Sequence, residues 1–101
     1  KFKKNGIRRA IVNMEMMKML KHNIAIHCDT YDKSDRLLGL LINNGYYWDM
    51  PLGHTCWNNY KENTCYCLSD TGNSIQYSGI DYFKEVKFDI IEFEDFMKSV
   101  D

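Results

Sequence analysis

The chain has 101 residues, of which 45% are hydrophobic and 27% are charged, and its formal net charge is −1. This composition is typical of a globular protein with one core, and it excludes a disordered chain, which combines few apolar residues with a high net charge. No apolar run approaches the roughly 20 residues that cross a bilayer, and no cleavable signal pattern occurs. We therefore expect one domain that acts in the cytoplasm and does not enter a membrane.

The N-terminal quarter of the chain is basic. Seven Lys and Arg residues lie in Lys1–Lys21 against one acidic residue, Glu15. Alternation predicts an edge strand over Ile7–Val12, and the next residues predict a short helix over Met14–Lys21 with methionines on its apolar face. Methionines at this spacing most often belong to a core, and an adaptable binding surface is the alternative.

A β-α-β unit is predicted between residues 23 and 48. Ile24–Cys28 alternates like a strand, Tyr31–Asn44 has the apolar spacing of a helix, and Tyr46–Trp48 returns as a second strand. Asp29 or Thr30 is placed to cap the helix. A crossover of this length favours parallel pairing of its two strands, with an inserted strand as the alternative. The apolar stripe predicted for the helix is Leu37, Leu38, Leu41 and Ile42.

The second half of the chain predicts a hairpin followed by a strand and a helix. The expected elements are a strand over Thr64–Leu68, a turn over Ser69–Asn73, a strand over Ser74–Ser78, a helical turn from Gly79, a strand over Lys87–Glu92 and a helix over Glu94–Ser99. The predicted fold class is therefore α+β or α/β. We expect a single domain over residues 1–101, with a mixed sheet of five to six short strands and two to three helices. Residues 1–22 form its basic start, and residues 23–101 form a β-α-β-β-β-β-α core.

The longest predicted connection runs from Asp49 to Asn63, since it contains the only proline and has no regular pattern. Binding residues often lie on loops that a rigid scaffold holds in place. Trp48, Trp57 and Tyr60 are therefore the predicted contacts for a partner or a ligand.

Four soft metal ligands occur as two close pairs, His54 with Cys56 and Cys65 with Cys67. One histidine and three cysteines can hold zinc, but this spacing is not a familiar zinc pattern, and buried thiols are the commoner explanation. No cofactor is predicted apart from this alternative of a zinc ion. With no targeting segment, we expect the cysteines to be reduced.

No motif in the sequence indicates catalysis. Cys56 has His54 or His27 as a conceivable base, yet no oxyanion site or orienting third group accompanies the pair. The carboxylates of Glu92, Glu94 and Asp95 suit acid–base chemistry or cation binding, although Glu94 and Asp95 also suit the first turn of a helix. We therefore do not expect an enzyme.

Several stretches carry a family resemblance: Gly45–Trp48 (GYYW), Tyr60–Tyr66 (YKENTCY), Ile75–Ser78 (IQYS), Asp81–Phe83 (DYF) and Lys87–Met97 (KFDIIEFEDFM). In these the chain resembles small proteins of phages and prophages of low-GC Gram-positive bacteria, over roughly residues 24–97. The resemblance implies a phage context and transfers no catalytic residues. It also implies that the protein binds and disables a host defence component, such as a CRISPR nuclease, or sequesters a nucleotide signal.

Three functional hypotheses follow. The first is a non-enzymatic, anti-CRISPR-like inhibitor that binds a host defence protein. Its contacts would be the aromatic loop and an acidic surface around Glu92, Glu94, Asp95 and Asp101. The second is a nucleotide-binding protein that stacks the base on Trp48, Trp57 or Tyr60 and holds the phosphate with Arg8, Arg9 or Lys61. The third is a nucleic-acid-binding protein that uses the basic residues Lys1–Arg9. Association of the chain with itself is compatible with all three.

Overall fold

The computed structural model describes residues 23–51, 53–69 and 73–100, and these residues form one mixed α+β domain. In chain order, the elements are β1 (Ile24–His27), α1 (Tyr31–Asn43), α2 (Trp57–Tyr60), a 3₁₀ turn (Lys61–Asn63), β2 (Thr64–Leu68), β3 (Ile75–Gly79), α3 (Ile80–Glu85), β4 (Asp89–Glu92) and α4 (Phe93–Val100). The predicted single-domain α+β fold is therefore confirmed.

The four described strands have the order β3-β2-β1-β4. β2 is antiparallel to both of its neighbours, with Tyr66 opposite Ile26 on one side and opposite Tyr77 on the other. β4 is parallel to β1, and Glu92 lies opposite His27 at the carboxyl ends of the two strands. The predicted hairpin of β2 and β3 is confirmed, whereas the predicted turn at its tip lies mostly outside the described residues.

Each face of the sheet buries its own apolar cluster. On one face, α1 and α4 pack Leu37, Leu41 and Phe96 against Ile26 and Tyr66. On the other face, Phe83 of α3 packs against Ala25, Cys65 and Cys67. The alternation of side chains along β1 and β2 sends neighbouring residues to opposite clusters, as the sequence predicts.

α1 begins and ends close to its predicted limits. The Thr30 hydroxyl caps the helix by accepting a hydrogen bond of 3.2 Å from the Lys33 N–H. Beyond the last turn, Gly45 has a φ of +93°, a conformation that glycine adopts without steric cost. Leu37, Leu38 and Leu41 are buried as predicted, but Ile42 is 39% exposed, so its assignment to the buried stripe is wrong.

The prediction of a second strand at Tyr46–Trp48 is also wrong. Only Tyr47 forms a ladder contact there, a single parallel bridge to Ser74 beside β3. β2 and β3 therefore lie between this segment and β1, because β1 takes β2 and β4 as its direct neighbours. The described sheet has four strands where five to six were expected. The predicted strand Ile7–Val12 and helix Met14–Lys21 lie outside the described residues.

Two neighbouring residues of α1 test this packing. We expect Leu41→Ala to lower the free energy of unfolding by about 2–5 kcal/mol, because it leaves a cavity in the core. Ile42→Ala should cost less than about 1 kcal/mol, since its side chain is already partly in water. Urea denaturation followed by circular dichroism measures both values, and equal losses would contradict the assignment of Ile42 to the surface.

Candidate functional site

Trp48 fixes the segment that follows α1. Its indole N–H donates a hydrogen bond of 2.7 Å to the carbonyl of His54. Its ring meets Tyr66 and Tyr77 edge to face, with centroid distances of 6.1 and 5.8 Å. Such aromatic contacts add stability beyond the area they bury. Trp48 therefore anchors the loop to the sheet, and its ring is only partly available to a ligand.

The loop around Gly53 is held at two further points. The Tyr31 hydroxyl donates to the Gly53 carbonyl at 3.2 Å, and the buried Tyr66 hydroxyl donates to the Thr55 carbonyl at 2.6 Å. Gly53 itself has a φ of +88°, which disfavours other residues at this position. These bonds give the surface beside the loop a defined shape.

Tyr47, Trp48 and Met50 form a ridge, called the aromatic ridge below. Tyr47 is 56% exposed and Met50 is 42% exposed, while Trp48 is half-buried between them. Large apolar side chains that are exposed next to one another often mark a binding surface. A cavity lies on each side of this ridge.

The α1-side cavity has a volume of about 390 Å³ and lies between α1 and the loop. Leu38 and Tyr46, both buried, contribute to its lining. The Tyr46 hydroxyl is buried and has no hydrogen-bond partner among the described residues, and burial raises its pKa. The hydroxyl oxygen lies behind the cavity surface, so its missing hydrogen bond is a cost of the packing around Tyr46.

The β3-side cavity has a volume of about 420 Å³ and runs along β3. Trp48 and Met50 line both cavities, and Tyr82 of α3, which is 53% exposed, lines only this one. Both volumes fall within the range of roughly 300–1,000 Å³ that small-ligand pockets have.

Among the described residues, the lining of each cavity has one aspartate and neither Lys nor Arg. Asp49 lines the β3-side cavity and accepts a hydrogen bond of 3.0 Å from the Tyr47 hydroxyl, which raises the pKa of that hydroxyl. Asp35 lines the α1-side cavity, is exposed, and makes no ion pair with a described residue. The surroundings of the aromatic ridge are therefore apolar and acidic.

The three predicted aromatic contacts do not form one pocket. Trp57 is half-buried, donates its indole N–H to the Cys28 carbonyl at 3.1 Å, and lines neither cavity. Tyr60 is 41% exposed and lies edge to face with Tyr77 at 6.1 Å, also outside both linings. Of the three residues, only Trp48 reaches the cavities.

The predicted acidic residues lie at the carboxyl ends of β1 and β4, away from the ridge. Glu92 contacts Nδ1 of His27 at 2.9 Å, and Nε2 of His27 lies 2.6 Å from the carbonyl of Glu62. Lys33 bridges Asp29 at 2.7 Å and Glu94 at 2.9 Å. Two of the three predicted acidic contacts thus have a basic partner within the domain.

Asp95 lies beside this cluster in the first turn of α4 and is exposed. Its position is the one expected from the favourable interaction of carboxylates with a helix N-terminus.

The structure does not bring the four predicted zinc ligands together. Cys65 and Cys67 point to the α3 face of the sheet, whereas Cys56 lies near Tyr77, which packs on the opposite face. The His54 carbonyl binds Trp48 on that same opposite face. Within the described ranges, no group of three or more His, Cys, Asp or Glu side chains could hold a metal ion.

The buried thiols are poor nucleophiles. Burial raises the pKa of Cys28 and of Cys65 to about 12, so both stay protonated at neutral pH. The thiolate is the reactive form of cysteine, and a thiol needs exposure as well to react.

Sequence reasoning missed the residues that make the aromatic ridge a surface. The sequence predicts Tyr47 in a strand, Met50 in the long connection from Asp49 to Asn63, and Tyr82 in a helical turn. For Tyr47, the alternation of side chains along an extended segment is a usable sequence signal. Tyr46 is buried and Trp48 is half-buried, so the residue between them points outward.

Comparisons with protein-family models, with curated proteins and with solved structures found no match for this chain. No helix in the described part of the chain is long and apolar enough to cross a membrane.

Differences in burial should decide the order in which the thiols react. We expect iodoacetamide to label the half-buried Cys56 first in the native protein, while Cys28 and Cys65 react only after denaturation. Peptide mass spectrometry of timed samples measures the order. Cys56→Ser should remove the fast label, and early labelling of Cys28 or Cys65 would contradict their burial.

The bridge at Lys33 predicts a pH dependence of stability. Hydrogen bonds from Lys33 lower the pKa of Asp29 and of Glu94 below their ordinary values of 3.8 and 4.5. Because each pKa is lower in the folded chain than in the unfolded chain, the stabilisation is complete above these ordinary values. It is lost as the pH falls through the folded values.

Urea denaturation between pH 7 and pH 3 tests this dependence. The free energy of unfolding of Lys33→Met should lie slightly below that of the wild type at pH 7, and the difference should shrink in acid. The effect is small because both carboxylates are exposed. Lys98→Met is the control, since Lys98 makes no ion pair with a described residue, and an equal change in both variants would refute the bridge.

Proposed function

We propose that this chain is a non-enzymatic binding protein that contacts a partner protein through the aromatic ridge. The observation that carries this proposal is the set of exposed apolar side chains of Tyr47, Met50 and Tyr82 around two adjoining cavities. Interface cores are enriched in aromatic residues and methionine, and hot-spot residues cluster in pockets from which water is excluded. The aromatic ridge consists of two aromatic residues and a methionine, and it has a cavity on each side.

The fixed position of the ridge also supports binding. The side chain of Trp48 and the carbonyls of Gly53 and Thr55 are held by hydrogen bonds within the domain. A surface that is already ordered loses less conformational freedom when a partner binds, and more of the contact energy then appears as affinity.

The partner class that we propose is a host defence protein such as a CRISPR effector. This part of the proposal rests on the resemblance to small phage proteins, and it places the action of the protein in the cytoplasm of the infected host. The acidic residues Glu92, Glu94 and Asp95 are a weaker candidate contact, because Glu92 and Glu94 already have basic partners.

Sequestration of a nucleotide is the second candidate function. The volume of the β3-side cavity favours it, and Trp48 contributes an aromatic wall. The absence of Lys and Arg from the described lining weighs against a phosphate ligand, since phosphate sites usually provide cationic groups. The third hypothesis depends on Lys1–Arg9, which lie outside the described residues.

The test is a plating assay in which bacteria carry one of several defence systems and express this chain. We expect the chain to restore phage plating by at least about tenfold against one system. Met50→Glu should abolish the effect, because it buries a charge in the centre of an apolar interface. The cost should exceed the roughly 1.4 kcal/mol that corresponds to a tenfold loss of affinity.

Val86→Glu is the matched control. Val86 has the same exposed fraction as Met50, 42%, but lines neither cavity, so the control should keep full activity. Equal loss in both variants would contradict a role for the aromatic ridge, and unchanged plating against every system would contradict the proposed partner class.

A further inference from the structure

The α1-side cavity can accept a side chain from outside without rearrangement of α1. A Cβ atom added at Gly39, which lies in the cavity lining, would meet no atom within 4 Å. Leu38 contributes a buried apolar wall, and Ile42 and Met50 are exposed at 39% and 42%. A small residue on the helix surface beside large apolar neighbours leaves an opening suited to an apolar group.

The charge around this opening has one sign. Asp35 stands one helical turn before Gly39 and makes no ion pair with a described residue. Asp49 lies on the other side of the aromatic ridge. His54 is the one titratable nitrogen in the described lining of the α1-side cavity. The nearby carboxylates therefore disfavour an acidic or phosphorylated group and favour a cation.

We infer that the α1-side cavity receives an apolar side chain of a partner segment, and that an adjacent Lys or Arg of that segment pairs with Asp35. The inference rests on the proposed function and specifies the chemistry of the partner. The long aliphatic stems of Lys and Arg can lie along the apolar wall while their charged ends reach a carboxylate. An apolar residue next to a basic one thus matches both the shape and the charge of this site.

Tyr46 completes the wall of this cavity. Its side chain is 6% exposed and belongs to the lining, while its hydroxyl oxygen is fully buried behind the cavity surface. The ring of Tyr46 therefore offers apolar surface to the incoming side chain.

The test uses three capped tetrapeptides with defined sequences: Ser-Leu-Arg-Ser, Ser-Leu-Glu-Ser and Ser-Ser-Arg-Ser. The protein is the full chain with Trp57→Phe, so that Trp48 gives the only indole N–H signal in a ¹H–¹⁵N nuclear magnetic resonance spectrum. Trp48 lines the cavity, and its signal should move when the cavity is filled.

We expect the Leu-Arg peptide to bind about two- to fivefold more tightly than the Leu-Glu peptide, as is usual for an exposed ion pair. The Ser-Arg peptide should bind more weakly than the Leu-Arg peptide, because it lacks the apolar side chain. Asp35→Asn should remove the preference for Arg over Glu. Gly39→Leu should weaken binding of the Leu-Arg peptide at least about fivefold by filling the opening, whereas Val86→Glu should leave it unchanged.

Three results would overturn the inference: equal affinity for the Arg and Glu peptides, saturable binding that survives Gly39→Leu, or no movement of the Trp48 signal with any peptide. A dimer in sedimentation experiments that Gly39→Leu abolishes would also overturn it, because a second copy would then occupy the cavity.

The plating assay separates this inference from the proposed function. If Met50→Glu abolishes inhibition while the peptides show no charge preference, the binding function stands and the partner chemistry is refuted. If the peptides behave as expected and no defence system is inhibited, the cavity chemistry stands and the proposed partner class is refuted.

Discussion

The arrangement of the domain depends on Tyr66. This residue lies in the middle of β2, is 1% exposed, and pairs with strands on both sides. Its ring packs against Trp48, and its hydroxyl holds the Thr55 carbonyl at 2.6 Å. A buried hydroxyl without a partner is costly, so this bond ties the course of the loop to the centre of the sheet. The bond thereby fixes the position of Thr55, which lines the α1-side cavity.

The sequence predicts the regular elements well where local signals agree with the fold. Ile24–His27, the α1 helix and the β2–β3 hairpin follow from alternation, helical spacing and a capping residue, all of which operate over short distances. The pairing of β1 with β4 could not be predicted in this way, because it joins residues 65 positions apart. The length of the connection after β1 favours direct pairing of β1 with Tyr46–Trp48. In the structure, the strands β2 and β3 lie between that segment and β1.

The site was predicted only in part for a related reason. Trp48 lines both cavities beside the aromatic ridge, whereas Trp57 and Tyr60 lie outside both linings because they belong to the short helix α2. That helix follows Cys56 and precedes Lys61, which have φ values of +62° and +52°. Left-handed conformations at residues other than glycine leave little trace in a sequence, and their direction is set by tertiary contacts. Which residues of this segment are exposed and which are buried could therefore not be predicted from the sequence.

The position of Trp48 and Met50 has a consequence for how the two cavities behave together. Both residues line both cavities, so molecules in the two cavities would contact the same two side chains. If a ligand in one cavity shifts this shared wall and changes the affinity of the other cavity by some factor, a ligand in the second cavity changes the affinity of the first by that same factor. The aromatic ridge thus gives this small domain the means to make occupation of one cavity report on the other, with no moving domain or subunit interface.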